Sequence, residues 1–121
     1  MRVFVTKPFA RFADHEGIPD ADLLEAVRRA EQGLIDADLG GGVIKQRLAR
    51  KGHGRSGGFR SLVLFRRGER AFFVYGFAKS SRANIRRDEL AAFRRLADEM
   101  LAYDDKALAA AMRNATIKEI T

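Results

Sequence analysis

Lys45, Arg47, Lys51, Arg55, Arg60 and Lys79 set six cations close together in a chain of 121 residues. Residues 43–87 hold thirteen Lys/Arg against one acid, Glu69, while the other 76 residues carry ten basic and fifteen acidic side chains. The net charge of +7 therefore hides a segregated +12 segment. Concentrated positive potential attracts polyanions and releases their condensed counterions, so this pattern predicts a phosphate-backbone partner. Phe59, Tyr75 and Phe77 lie among the cations and are candidates to stack on bases, although Tyr75 and Phe77, with Phe72 and Phe73, more commonly belong to a sheet core. Lys and Arg serving only to keep a sheet soluble would be interspersed with acids, and here acids are nearly absent.

Other chemistries have little to work with. The chain has no Cys and only two His, His15 and His53, with no paired ligand spacing, so no thiolate nucleophile, disulfide or metal site is expected, and no cofactor. His53 on a basic glycine-rich loop could transfer a proton, although an exposed loop His without a role is commoner. His15, beside Asp14 and Glu16, reads as structural or solvent-facing. No apolar run approaches the roughly 18 residues of a membrane span, which points to a soluble cytoplasmic protein with no membrane partner. The length fits one domain over residues 1–121.

The elements that must position the cations can be read along the chain. Residues 2–5 suit a first strand. Pro8 fits the first turn of a helix whose Phe9, Phe12 and Ala13 share a face and which Gly17 ends. Asp20 is the expected N-cap of a second helix with an apolar stripe of Leu23, Leu24, Val27, Ala30 and Leu34. Gly40, Gly41 and Gly42 mark a break with unusual backbone angles. Residues 43–49 alternate, with Ile44 and Leu48 on one face and Lys45 and Arg47 on the other. A basic loop over 50–58 leads to strands at 59–66 and 71–78, joined by a hairpin turn at 67–70. These strands predict an antiparallel meander. Residues 84–102 form a helix with Asp88 and Glu89 in its first turn, followed by a short helix at 104–112 and a weakly alternating end at 115–120.

Gly-Gly-Val-Ile-Lys-Gln-Arg-Leu at 41–48, Gly-Arg-Ser-Gly-Gly-Phe-Arg at 54–60 and Phe-Ala-Lys-Ser at 77–80 together resemble the RelE/HigB toxins of type II toxin–antitoxin systems. The resemblance runs from about residue 41 to residue 96, and the preceding strand–helix–helix order agrees with it. It implies an α+β fold: an N-terminal strand and two-helix hairpin packed on a small antiparallel sheet, with a C-terminal helix. It also implies an mRNA interferase that cleaves message in the ribosomal A site, with ribosomal RNA nearby. A cognate antitoxin, a helix-turn-helix protein encoded beside it, would neutralise the toxin. RNA-binding or catalytic roles pass to the matched positions Lys45, Arg47, Lys51, Arg55, Arg60 and Lys79.

Such cleavage needs no metal: a ribose 2′-hydroxyl attacks the adjacent phosphate, giving a 2′,3′-cyclic phosphate and a free 5′-hydroxyl. One group must accept the 2′ proton, one must stabilise charge on the phosphorane and one must protonate the leaving oxygen. Arg60 suits charge stabilisation, since its planar fork can hold two phosphate oxygens. Lys79 can add charge or act as the acid, and Lys45 or Lys51 is the candidate acceptor. The set lacks an orthodox base, which suits an enzyme whose substrate is oriented by the ribosome. Two readings compete: a ParE-like toxin that binds DNA gyrase without cutting nucleic acid, and a non-catalytic RNA-binding module.

Overall fold

The computed structural model describes the backbone of residues 1–50 and 54–120, and the side chains of 1–49 and 58–120. Its elements are β1 (Arg2–Thr6), α1 (Lys7–Glu16), α2 (Asp20–Glu31), β2 (Ala37–Asp38), β3 (Val43–Arg50), β4 (Gly54–Arg66), β5 (Arg70–Ala78), α3 (Arg87–Met100), α4 (Asp105–Arg113) and β6 (Ile117–Ile120). The strands form one sheet in the order β2-β3-β4-β5-β1-β6. The expected meander is present as β3–β4–β5. The sheet is nevertheless mixed, because β1 lies parallel to β5 and pairs antiparallel with β6 on its other side. The fold is α+β, as expected, and its four helices include the short one expected at 104–112.

Local chemistry sets most boundaries. Thr6 caps α1, its hydroxyl accepting the Phe9 N–H at 3.4 Å, and Gly17 ends the helix in the left-handed region at φ 70°. In α2 the N-cap is Pro19, not Asp20; Asp20 and Asp22 instead sit in the first turn, where the helix dipole favours acids. Leu34 was expected on the α2 stripe, but the helix stops at Glu31 and Leu34 is 59% exposed. Gly40, Gly41 and Gly42 all have positive φ (80°, 63° and 85°), which explains three consecutive glycines at the turn into β3. The strand after the basic loop begins earlier than expected, at Gly54.

Two cores result, one on each face of the sheet. On the first, α1 and α2 bury Phe9, Leu23, Ala26 and Val27 against Val5, Ile44, Leu48, Phe59, Val63 and Phe73. On the second, α3 and α4 bury Ala97, Met100, Leu101 and Leu108 against Phe4, Val43, Leu62, Leu64 and Phe72. Stacked Phe4–Phe72 (5.0 Å) and tilted Phe9–Phe73 (5.1 Å) anchor the two faces. Each buried Phe contributes about 1.5–3 kcal/mol by leaving water.

A register shift between Leu62 and Val63 determines which residues reach which face. Leu62 pairs with Tyr75 and Val63 with Phe73, so Val74 is an extra residue in β5. The bulge sends Phe73 to the α1/α2 side and turns Tyr75 and Phe77 to the α3/α4 side. Gly76, between them, has no side chain because the Phe12 ring lies against its backbone: a Cβ there would meet Phe12 Cε2 at 2.3 Å. Gly76→Ala is expected to cost about 1–3 kcal/mol through overpacking, read as a lower urea midpoint. Unchanged stability would show that the ring moves aside freely.

Candidate RNA-cleavage surface

The α3/α4 side of the sheet has a covered part and an open part. The helices pack over Val43, Leu62, Leu64 and Phe72. Two residues further along the strands toward the β3–β4 turn, the same face carries Lys45 and Arg47 on β3, Arg60 on β4, and Tyr75 and Phe77 on β5. Lys45 is half-buried and Arg47 exposed. Lys79 follows β5 directly and is exposed, its N–H donating to the Gly58 carbonyl at 3.3 Å. Lys51 and His53 lie outside the described residues, and of Arg55 only the backbone, in β4, is described.

Arg47 and Arg60 face each other directly across the β3–β4 pair. Like charges in cross-strand register repel, so this pairing works against the fold. Arg60 is only 7% exposed, and its Nη1 reaches the Phe59 carbonyl at 3.4 Å. Burial, and then Arg47, lower the Arg60 pKa from its usual value, with Asp36 opposing. A nearly buried guanidinium beside a second one places two planar forks where a single anion could meet both.

The aromatic residues are placed differently from the sequence expectation. Phe59 lies on the opposite face, 2% exposed in the α1/α2 core, with the Phe12 ring edge-on at 5.6 Å. It is core, not a platform for bases, because β4 alternation puts residues 59 and 60 on opposite sides. Phe77 and Tyr75 do share the cationic face, but Phe77 is 4% exposed and Tyr75 is half-buried against Phe93.

What covers them is Arg82, a residue the sequence reading passed over. Its guanidinium carbon sits 5.9 Å from the Tyr75 ring centre and 5.7 Å from that of Phe77. It donates to Tyr75 Oη (3.0 Å), to the Asn84 carbonyl (2.9 Å) and to both oxygens of Glu89 (2.6 and 3.2 Å). Arg82 therefore ties the segment after Lys79 to the first turn of α3. The only sequence signal for it was membership of the +12 segment, since the Glu89 pairing spans a loop whose path no local pattern fixes.

Glu89 also accepts the Arg86 N–H at 2.7 Å. Arg82 first, and that N–H second, hold its carboxyl down at about 2, against an ordinary value of 4.5. Because the folded pKa is depressed, the stabilisation is complete above pH 4.5 and is lost as the pH falls toward 2. Carbon-detected NMR titration should place Glu89 near 2, and Arg82→Ala should move it up toward the ordinary range. A wild-type midpoint near 4.5 would mean that the clasp is open in solution.

No curated protein and no solved structure gives a match to the chain. The family model of the RelE toxin of the RelE/RelB toxin–antitoxin system matches residues 1–120. That match covers both cores as well as the cationic face, and with it the resemblance in the central motifs extends to the whole fold. The chain belongs to the RelE toxin family, and its place is that of the toxin in a toxin–antitoxin pair.

Proposed function

We propose that this toxin is a metal-independent endoribonuclease, one domain over residues 1–121, that cuts messenger RNA bound to the ribosome in the cytoplasm. The observation that carries this reading is the Arg47–Arg60 cross-strand pair, with Arg60 nearly buried. Two guanidiniums side by side on adjacent strands can converge their donors on one phosphate. Arg60 stabilises the phosphorane, Lys45 in its neutral amine form accepts the 2′ proton, and Lys79 adds charge or, as the ammonium, protonates the leaving 5′ oxygen. Arg47, with Lys51 and Arg55, holds the flanking backbone. Tyr75 and Phe77 act under Arg82 as its support, in place of the stacking role first expected of them.

Two carboxylates near this surface are held in place, Glu89 by Arg82 and Asp36 through its Oδ2 by the Arg47 N–H. A cationic site whose proposed reacting groups are all Lys and Arg gains most from a substrate oriented by another body, and the ribosome is that body. The antitoxin, proposed as a helix-turn-helix protein, covers this surface or distorts it. End-mapping of a defined message with and without ribosomes tests the reading. Cleavage with 2′,3′-cyclic phosphate ends is expected only when ribosomes are present. Intact message together with inhibited DNA supercoiling would replace it by the gyrase-binding alternative; salt-sensitive RNA binding without cleavage would point to the non-catalytic module.

A further inference from the structure

Beside Arg47, at the outer edge of β3, is an open cavity of about 350 Å³ lined by Arg29, Leu34, Ile35, Asp36 and Arg47. β2 pairs only with residues 44 and 45 of β3, so the strand edge at Arg47 has no neighbouring strand. Two side chains cap it instead. Asp36 Oδ2 accepts the Arg47 N–H at 2.6 Å, and Arg29 Nη2 donates to the Arg47 carbonyl at 2.7 Å. Each nitrogen of the Arg29 guanidinium is engaged, since Nε also bonds Glu25 and Nη1 lies 3.5 Å from Asp36. Asp36 Oδ1, by contrast, takes no hydrogen bond among the described residues. Leu34, 59% exposed, gives the cavity an apolar wall.

We propose that this cavity is a base-selecting pocket for one RNA nucleotide next to the cleaved phosphate. The inference rests on the RNA-cleaving reading of the neighbouring face. A backbone held by Arg47 would bring an adjacent base to the cavity, and an aliphatic wall of Leu34 and Ile35 with a polar rim can receive an unstacked base. The selecting atom is Asp36 Oδ1. An ionised carboxylate only accepts hydrogen bonds, so it selects an exocyclic amino group. Cytosine presents N4 beside the acceptor N3, and the exposed Arg47 guanidinium can reach toward N3 or O2. Uracil offers O4 in place of the amino group, so at that position it loses the hydrogen bond and sets two acceptors against each other, leaving only its N3–H to donate. The pocket therefore favours cytosine over uracil.

Asp36→Asn inverts this preference for a definite reason. The Arg47 N–H requires an acceptor at the Oδ2 position, so the Asn oxygen goes there and its NH₂ replaces Oδ1 as a donor facing the cavity. The probes are 2′-O-methylated oligo(C) and oligo(U) of equal length, which cannot be cut and differ at the base edge. Fluorescence anisotropy on wild-type toxin should show about tenfold tighter binding of oligo(C), and Asp36→Asn should abolish or reverse the ratio. Leu34→Ser, at an exposed site that does not threaten folding, should weaken both oligomers and narrow the ratio.

Mapping of cleavage ends on ribosomes then separates the two readings. Oligo(C) preference without any cleavage would keep the pocket and overturn the nuclease. Cleavage by wild type and Asp36→Asn at the same bases, with equal oligomer affinities, would overturn the pocket and keep the nuclease. Loss of antitoxin binding by Leu34→Ser with oligomer binding untouched would assign the cavity to the antitoxin and also overturn the proposal.

Discussion

Arg60→Ala is expected to lower message cleavage on the ribosome by about 10²–10³-fold, the range for removing one preorganised donor aimed at developing charge. The expectation follows from where Arg60 sits. At 7% exposure, it presents a guanidinium stripped of most of its water on the sheet face that also carries Lys45 and Arg47. A charge in that setting acts on a phosphorane through a lower effective dielectric than any exposed lysine does. Arg60→Lys keeps the charge but loses the planar fork, so recovery should be partial. Arg47→Ala should differ in kind. Because Arg47 is exposed, its loss should weaken binding and reduce the salt dependence by about one counterion, with a smaller effect on the cleavage step. Thermal unfolding of each variant shows whether the fold survives. Full cleavage by a folded Arg60→Ala protein would move the chemistry elsewhere on the surface.

The sequence made the cationic face legible but not everything that lies on it. Lys45 and Arg47 could be assigned to one side of β3 because Ile44 and Leu48 so clearly belong to the other, and period-two alternation does the rest. The same logic fails on β5. Simple alternation puts Phe73, Tyr75 and Phe77 together, yet the extra residue Val74 breaks the period and parts Phe73 from the other two. A bulge inside an unbroken run of apolar residues leaves no mark in composition, since every residue in it is content on either side. Phe59 was misjudged for a related reason: next to Arg60 in sequence, it is opposite to it in space. Arg82 and Asp36 were hidden differently. Each works through a partner across a loop, Glu89 or the Arg47 backbone, and such pairings exist only once the loops are folded. The parallel entry of β1 beside β5 is likewise a tertiary choice, set by which edges the helices leave free.

Gln46→Leu is expected to destabilise the fold by about 3–4 kcal/mol, more than its modest change in volume would suggest. Gln46, on β3, is 1% exposed, and its side chain reaches α2 and the segment that follows it. Its Nε2 donates to the carbonyls of Ala26 (2.9 Å) and Leu34 (3.2 Å), and its Oε1 accepts the Asp36 N–H at 2.8 Å. One amide thus serves three backbone groups on two elements. An apolar side chain of similar size would take a partner from the part-buried Asp36 N–H and Leu34 carbonyl and one bond from the buried Ala26 carbonyl, at about 1 kcal/mol or slightly more for each. Ser61→Ala is a graded control. Its hydroxyl donates once, to the Gln46 carbonyl at 2.9 Å, and its removal should cost about 1 kcal/mol. Urea unfolding reads both as midpoint shifts at constant slope. The Gln46 variant should also loosen Asp36, and with it the support of Arg47, so cytosine preference should fall before cleavage does. A Gln46→Leu protein as stable as wild type would mean that water satisfies those backbone groups, and that the edge of β3 is held by Asp36 and Arg29 alone.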